Sequence, residues 1–390
     1  MIDELITSGL YPELSKFSNT EQDPEWHAEG NVKIHTHLVL DEIEKSLELY
    51  NLSDSEKRIL RYAAVFHDYG KPQTTTTKVK NDVLRVVAPF HEEIGASLLF
   101  YCKRPPELAV KEYLTVLALV QLHDVPKKLV KNNAKRNGYF KLALNSNLKL
   151  LYILEKADLK GRICSDFEYQ DEILELFKLQ AQEYGLWEDL DLNELRKSFS
   201  EIEDEEFVNR VFYKGIYNYA NGINPNIEDE IPKSYNYNTT AHVTMLCGLS
   251  ASGKSMLVQK MLKERTYTVI SLDKIRIELY GKKEDQRHND EIRRVAYERL
   301  RTALRNNEYI IYDATNLRKD FRSKIIDLCN NYDAFISMIV ICDIAINDIL
   351  KRNSKRETPV PNDVILKQYN KFELPFYSEV HALKFINSSK

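Results

Sequence analysis

Residues 242–262 read HVTMLCGLSASGKSMLVQKML. A short apolar run is followed by a loop bounded by glycines, and then by apolar residues three and four apart, which is the order strand, loop, helix. Gly248 and Gly253-Lys254-Ser255 stand at the spacing G-x-x-x-x-G-K-S in the context that a phosphate-binding loop requires. Gly248 lets the chain leave the strand, and Gly253, with Ser250, Ala251 and Ser252 before it, lets backbone N–H groups approach phosphate oxygens. Lys254 counters charge on the β and γ phosphates, and the Ser255 hydroxyl at a helix N-terminus suits Mg²⁺. Binding of ATP or GTP with Mg²⁺ is expected.

Working outward, the chain after this point alternates short apolar runs, YTVISLD, EYIIYDAT and FISMIVICD, with helical segments, as in a parallel sheet covered on both faces. The second run is read as a strand ending in Asp273, with Arg276 three residues on. At the carboxyl end of such a strand an aspartate can take the proton of an incoming hydroxyl while an arginine grips an acceptor phosphate. A third strand ends in Asp313 of DATN. In ILKRNSKRETPVPNDVI, Arg352 and Arg356 are four apart and are read as sharing one helix face. Arginines closing over a triphosphate neutralise charge that builds during phosphoryl transfer.

These segments resemble the polynucleotide 5′-hydroxyl kinase domain of phage and bacterial RNA-repair enzymes. The resemblance implies Asp273 as general base, Lys254 and Ser255 at the donor phosphates, Arg276 at the acceptor's 3′-side phosphate, and Arg352 or Arg356 as lid arginines. For Asp313 two readings stay open, a catalytic role or a strand end that only holds the P-loop in place.

Residues 1–220 look different. Segments such as DEIEKSLELY, EYLTVLALVQLHD and NLKLLYILEKADLKG repeat apolar residues at helical steps, with no convincing strand, and QTTTTK is read as an extended loop. Residues 221–240, rich in Asn, Pro, Gly and Thr, are read as a linker, leaving residues 241–390 as the nucleotide-binding domain. The fold class expected is therefore multidomain, an all-α domain followed by an α/β P-loop domain. The chain has 390 residues, 29% of them charged, with a net charge of −4, so a nucleic-acid site has to be a local basic groove. No run of about 18 apolar residues and no signal sequence is evident, so a cytoplasmic protein without a membrane span is expected. The five cysteines form no C-x-x-C pair, which argues against a zinc ribbon or a disulfide framework.

Within the helical half, YAAVFHDYGKP (62–72) sets His67 and Asp68 side by side behind an apolar run. Two ligands do not hold a metal, so more must come from elsewhere. His35 and His37 lie upstream, and His91, His123 and Asp158 downstream. The series His35, His67-Asp68-x-Gly-Lys, His91, His123, Asp158 resembles the HD-domain phosphohydrolases, and HAEGNVKIHTHLVLDEI, FHDYGKP and FHEEIGA resemble the HD module of CCA-adding enzymes. That resemblance implies His35, His67, Asp68 and Asp158 on one metal and His91 and His123 on a second, with Asp68 bridging. His37, two residues along a helix from His35, points about 160° away from that face. Lys71 is either a contact to substrate phosphate or a surface lysine. A mixed His/Asp site suits one or two transition ions such as Mn, Co, Ni, Fe or Zn better than Mg²⁺.

The whole layout resembles the HD-Pnk type of bifunctional end-healing enzyme. That resemblance implies a kinase for 5′-OH ends of RNA or DNA and a phosphoesterase for 2′,3′-cyclic, 2′- or 3′-phosphate ends. No K-x-D-G ligase motif occurs, so a separate polynucleotide ligase is expected downstream. Two rivals are an HD-class nucleotide hydrolase fused to a small-molecule kinase, and a non-catalytic nucleotide-gated switch.

Overall fold

The computed structural model describes residues 1–237, 239–281 and 288–387, so Asn238 of the expected linker lies outside the described residues. The chain divides into two compact units, Met1–Leu190 and Asp191–Lys390. The division falls about 30 residues before the expected linker. Helix Glu205–Ala220 buries Val208, Val211, Phe212 and Ile216 in the second unit, and Asn221 Nδ2 donates to Ser378 O (3.1 Å). The Asn/Pro-rich stretch is itself packed, with Asn224 and Glu230 buried and a short helix at Glu230–Ser234.

In the first unit, helix Val32–Leu49 packs against Asp54–Phe66 and Leu148–Lys160, while His91–Phe100 packs against Val110–Leu122. Local sequence sets the helix starts. Asn31 Oδ1 accepts the Ile34 N–H (3.1 Å), and Ser53 and Glu56 form a reciprocal capping box, each cap contributing about 1 kcal/mol. Leu60, Ala63, Ala64, Val65 and Phe66 are all fully buried, so the last turn of the helix that ends just before His67 is enclosed on every face. The expectation of a strand-free first half is corrected by a hairpin, β1 (Thr76–Lys80) and β2 (Val83–Val87), antiparallel with Lys80 opposite Val83. Asn81 and Asp82 both have positive φ (48° and 59°), as a two-residue turn matched to strand twist requires. The threonine tract thus supplies the end of helix Lys71–Thr74 and the start of β1.

The second unit carries a five-stranded, wholly parallel sheet in the order β4-β5-β3-β6-β7. The strands are β3 (His242–Cys247), β4 (Thr268–Ser271), β5 (Tyr309–Asp313), β6 (Phe335–Cys342) and β7 (Ala382–Asn387). β7 escaped the sequence reading because its run is short and interrupted by the exposed Lys384. The chain proceeds from β3 to one side and then returns to the other, so the strand order reverses at β3 and a crevice opens at its carboxyl end. No helix among the described residues is long and apolar enough to cross a membrane.

Candidate active sites

The carboxyl end of β3 leads into the loop of Gly248–Ser255. Gly248 (φ 150°) and Gly253 (φ 118°) adopt backbone conformations that L side chains rarely reach, and a Cβ on Gly248 would stand 2.9 Å from Ser252 Oγ. Asn316 of DATN donates Nδ2–H to Leu246 O (2.7 Å), and Gly248 N–H donates to Thr315 O (3.0 Å). These bonds tie the P-loop strand to the segment after β5. Lys254 Nζ donates to Gly248 O and Leu249 O, both at 2.8 Å. Burial lowers its pKa to about 8, against the opposing pull of Asp313.

Around the loop lies a cleft lined by Lys254, Ser255, Asp273, Arg276, Asp313 and Arg356, among others. Asp273 is not a strand end: β4 stops at Ser271, and Asp273 sits in the first turn of helix Leu272–Tyr280. The apolar run passes from strand to helix without a loop between them. Arg276, one turn on, is buried, with Nη1 2.9 Å from Asp273 Oδ1 and Nη2 donating to Asn289 Oδ1 (2.9 Å). Arg352 and Arg356 do not share a helix face. Helix Ile346–Ser354 ends before Arg356, which lines the cleft, whereas Arg352 is exposed and not among the lining residues.

The first unit gathers all six sequence-named candidate ligands. His35, His67 and Asp158 form one group and Asp68, His91 and His123 another, with the ligand atoms of each group within 4.8 Å of one another. Helix ends explain how. His67 and His123 each follow the last residue of an apolar helix, and their Nδ1–H groups donate to the carbonyls three residues back, Ala64 O and Val120 O, both at 2.8 Å. His91 Nδ1 does the same with Ala88 O (2.9 Å). Carbonyls at a helix end otherwise lack a partner, and occupying Nδ1 leaves the Nε2 lone pair facing the cluster. His35 Nδ1 lies 2.9 Å from Glu29 Oε1, an ion-pair distance without hydrogen-bond geometry, and its Nε2 is hydrogen-bonded to Asp158 Oδ1.

At the centre, ring nitrogens and carboxylate oxygens crowd together. His35 Nε2 is 2.9 Å from Asp158 Oδ1 and 3.3 Å from His67 Nε2, and His67 Nε2 is 3.2 Å from Asp68 Oδ2. Asp68 Oδ1 is 3.3 Å from His91 Nε2, so each oxygen of Asp68 turns to a different group. Groups this close and this well enclosed share either protons or a cation. The charges respond to that arrangement. Burial opposes a charged Asp68, but His67 and Lys71 hold its carboxyl well below the usual range, and Arg162 and His35 do the same for Asp158. Burial opposes a charged His67 as well, yet Asp68 raises its pKa. At His123, burial followed by repulsion from His91 and His67 lowers it to about 4. The residues fit one or two divalent ions held by nitrogen and oxygen, with Asp68 able to bridge.

Three neighbours were not singled out in the sequence. Glu29 Oε1 joins His27 Nδ1 (2.7 Å) to His35 Nδ1. Arg162 pairs with Asp158, its Nε 3.1 Å from Oδ1, and the i,i+4 spacing of the two along the chain signals that pair. Glu29 and His27 carry no comparable signal, since only the folded loop brings them to His35. Lys71 is neither a surface lysine nor an open contact: it is buried, with Nζ 2.8 Å from Asp68 Oδ2 and donating to Gln22 Oε1 (2.6 Å). His37 is half-buried and outside both groups.

Comparison with known proteins places residues 243–375 in the pattern of an AAA domain. A solved chain of the Pnkp1/Rnl/Hen1 RNA repair complex is 22% identical over 35% of this chain and 45% of that one, with a TM-score of 0.31. A second structure of the complex gives 21% identity over 32% and 42%, with a TM-score of 0.28. This chain therefore spans under half the length of those relatives. A gluconokinase from Sinorhizobium meliloti is 16% identical over 39% of this chain and 86% of its own, with a TM-score of 0.29. Residues 191–390 thus form an α/β unit with a five-stranded parallel sheet whose P-loop segment matches the AAA domain, and the helical first unit carries a His/Asp cluster compatible with metal.

Proposed function

We propose that the chain heals broken polynucleotide ends. The second unit transfers the γ-phosphoryl group of ATP or GTP to a 5′-OH, and the first hydrolyses 2′,3′-cyclic, 2′- or 3′-phosphate ends. The observation that carries the reading is the set of imidazoles, His35 and His67 buried and His91 half-buried, whose Nε2 atoms face each other and two carboxylates across 2.9–3.3 Å. Several imidazole nitrogens and carboxylate oxygens gathered in so small a volume are what a phosphohydrolase metal site would need. Divalent ions held there supply an activated water and charge stabilisation at phosphoryl oxygens. The protein's own part is to orient His67, His91 and His123 through Ala64 O, Ala88 O and Val120 O, and to hold Asp68 and Asp158 ionised.

On the kinase side, Asp273 faces the P-loop cleft and accepts the proton of the 5′-OH as its oxygen bonds to the γ-phosphorus and the nucleoside diphosphate leaves. Arg276, already paired with Asp273, turns to the acceptor phosphate, and Arg356 stands at the donor phosphates. Asp313 lines the same cleft near Lys254. A separate polynucleotide ligase then seals the healed ends.

The test supplies the whole chain with labelled ATP and either a 5′-OH oligonucleotide or a nucleoside, and separately with RNA ending in 2′,3′-cyclic phosphate plus Mn²⁺, Co²⁺, Ni²⁺ or Mg²⁺. Transfer to the oligonucleotide is expected, lost in Asp273→Asn with ATP binding within a few-fold. Phosphate release is expected with the transition ions and much less with Mg²⁺. A chain that ignored RNA ends but rapidly hydrolysed free dNTPs or cyclic mononucleotides would refute the reading.

A further inference from the structure

Three cations converge on one aromatic ring of the second unit. The Arg293 guanidinium lies 4.4 Å, the Arg318 guanidinium 5.0 Å and the Lys324 ammonium 5.7 Å from the centroid of Phe321. The group bridges helices Asn289–Arg305 and Lys319–Asn331, which pack on each other. Each arginine has an acidic neighbour, Asp290 for Arg293 (2.9 Å) and Asp320 for Arg318 (2.7 Å), but both pairs are at the surface, with Asp290 fully exposed. Such pairs hold their partners weakly, so a phosphate exchanges for the carboxylate at little cost. Lys324 is exposed too.

The position of the cluster gives it a direction. Asp273 contacts Arg276, Arg276 donates to Asn289, and Arg293 lies one helical turn beyond Asn289. Arg318 caps the helix that follows Leu317, at the same carboxyl edge of the sheet as Asp313. Hydrogen bonds thus link the candidate base through Arg276 to Asn289, and the helix that starts at Asn289 leads on to Arg293 and the cations around Phe321. We infer that Arg293, Arg318, Lys324 and Phe321 form a subsite for backbone phosphates of the acceptor strand downstream of its first phosphate, so that these four residues set how strongly acceptor length affects binding. The ring gathers the cations through its electron-rich face, and the strand's phosphates neutralise them. This inference rests on the kinase reading above.

The test compares a 5′-OH dinucleotide with a longer 5′-OH single strand as acceptors for the whole chain, in Arg293→Ala/Arg318→Ala, Phe321→Leu and Arg293→Lys variants. The double variant raises KM for the longer strand about tenfold and leaves KM for the dinucleotide within about twofold. Its dependence of log KM on log salt is shallower by roughly 0.7 for each phosphate that the variant no longer neutralises. Phe321→Leu goes the same way more weakly, and Arg293→Lys keeps most of the unmodified behaviour. If the unmodified chain transfers phosphate but its KM does not depend on acceptor length, or if the double variant shifts both acceptors equally, the subsite is wrong while the kinase reading stands. Absence of transfer to any oligonucleotide by the unmodified chain overturns that reading, and the subsite with it.

Discussion

Gly70 joins the His67-Asp68 segment to the helix that begins at His91, and the joint has no room for a side chain. A Cβ built on Gly70 would stand 2.8 Å from Gly95 N and closer still to the His91 carbonyl oxygen, and Gly95 meets Gly70 N at 2.8 Å in return. Real Cβ atoms essentially never approach so near, and the atoms in the way are backbone, which cannot swing aside as a side-chain tip does. Gly70→Ala therefore pushes the start of helix His91–Phe100 away from Asp68 by roughly 1 Å. Metal–ligand distances tolerate about 0.2 Å. The substitution should remove His91 from the site, cut the number of tightly held Mn²⁺ or Co²⁺ ions or their affinity by at least tenfold, and destabilise the first unit by about 1–3 kcal/mol.

The measurement is metal titration of the whole chain by calorimetry or equilibrium dialysis, with P-loop nucleotide binding as an internal check that the second unit stays folded. Gly138→Ala is the control. It lies in helix Arg136–Asn145 of the same unit, where its Cβ would meet only side-chain carbons at 3.2 and 3.6 Å, and it should leave metal binding unchanged and stability within about 1 kcal/mol. Wild-type metal affinity and stoichiometry in Gly70→Ala would refute the claim that His91 and Asp68 act as one site.

A fragment of residues 191–390 should fold and bind ATP, whereas one starting at residue 241 should unfold or aggregate, because it lacks the buried face of helix Glu205–Ala220 and the Arg210 bond to Asp333 O (3.0 Å); equal circular-dichroism melts for the two would contradict this. Acid should destabilise the second unit. Ile336 N–H donates to His381 Nδ1 (3.0 Å), so that ring is neutral in the folded state, and burial drives its pKa well below the ordinary value, as burial lowers His242 to about 4. Both pKa values are depressed on folding, so the stability is present above about pH 6.5 and is lost as pH falls towards 4, by about 1.4 kcal/mol per pH unit for each ring; a flat melting temperature for fragment 191–390 over that range would refute it. His37→Ala should leave metal stoichiometry unchanged, and loss of a bound ion in that variant would reassign the ligand set.

The P-loop was legible because its chemistry is local: two glycines, a lysine and a serine within eight residues, flanked by a strand and a helix. What sequence reading missed were features decided by packing. Asp273 looked like a strand end because the apolar run continues into the helix, with Ile275 buried as deeply as Ile270. Arg352 and Arg356 have the spacing of one helix face, but the helix stops between them and only Arg356 reaches the cleft. The hairpin went unread although Asn81-Asp82 is a turn signal, since Val79 and Leu84 are exposed and blur the alternation that marks a half-buried strand. The Asn/Pro-rich composition of residues 221–240 suggests a linker, while Asn224 and Glu230 use that polarity in a buried hydrogen bond (2.9 Å) inside the second unit.

The histidine cluster shows why some site residues were readable across long separations. His67 and His123 each stand one residue past an apolar helix whose carbonyl three residues back lacks a helical partner. An imidazole there satisfies that carbonyl through Nδ1 and is left with Nε2 aimed beyond the helix end, so one local bond fixes position, tautomer and direction together. A histidine in mid-helix has no such carbonyl within reach, because the backbone ladder already uses it. His35 differs: lying inside helix Val32–Leu49, it has Nδ1 2.9 Å from Glu29 of the preceding loop and Nε2 bonded to Asp158, while His37 belongs to neither group. A histidine just past the end of an apolar helix thus has its direction set by a local bond, whereas one within a helix depends on partners from other segments.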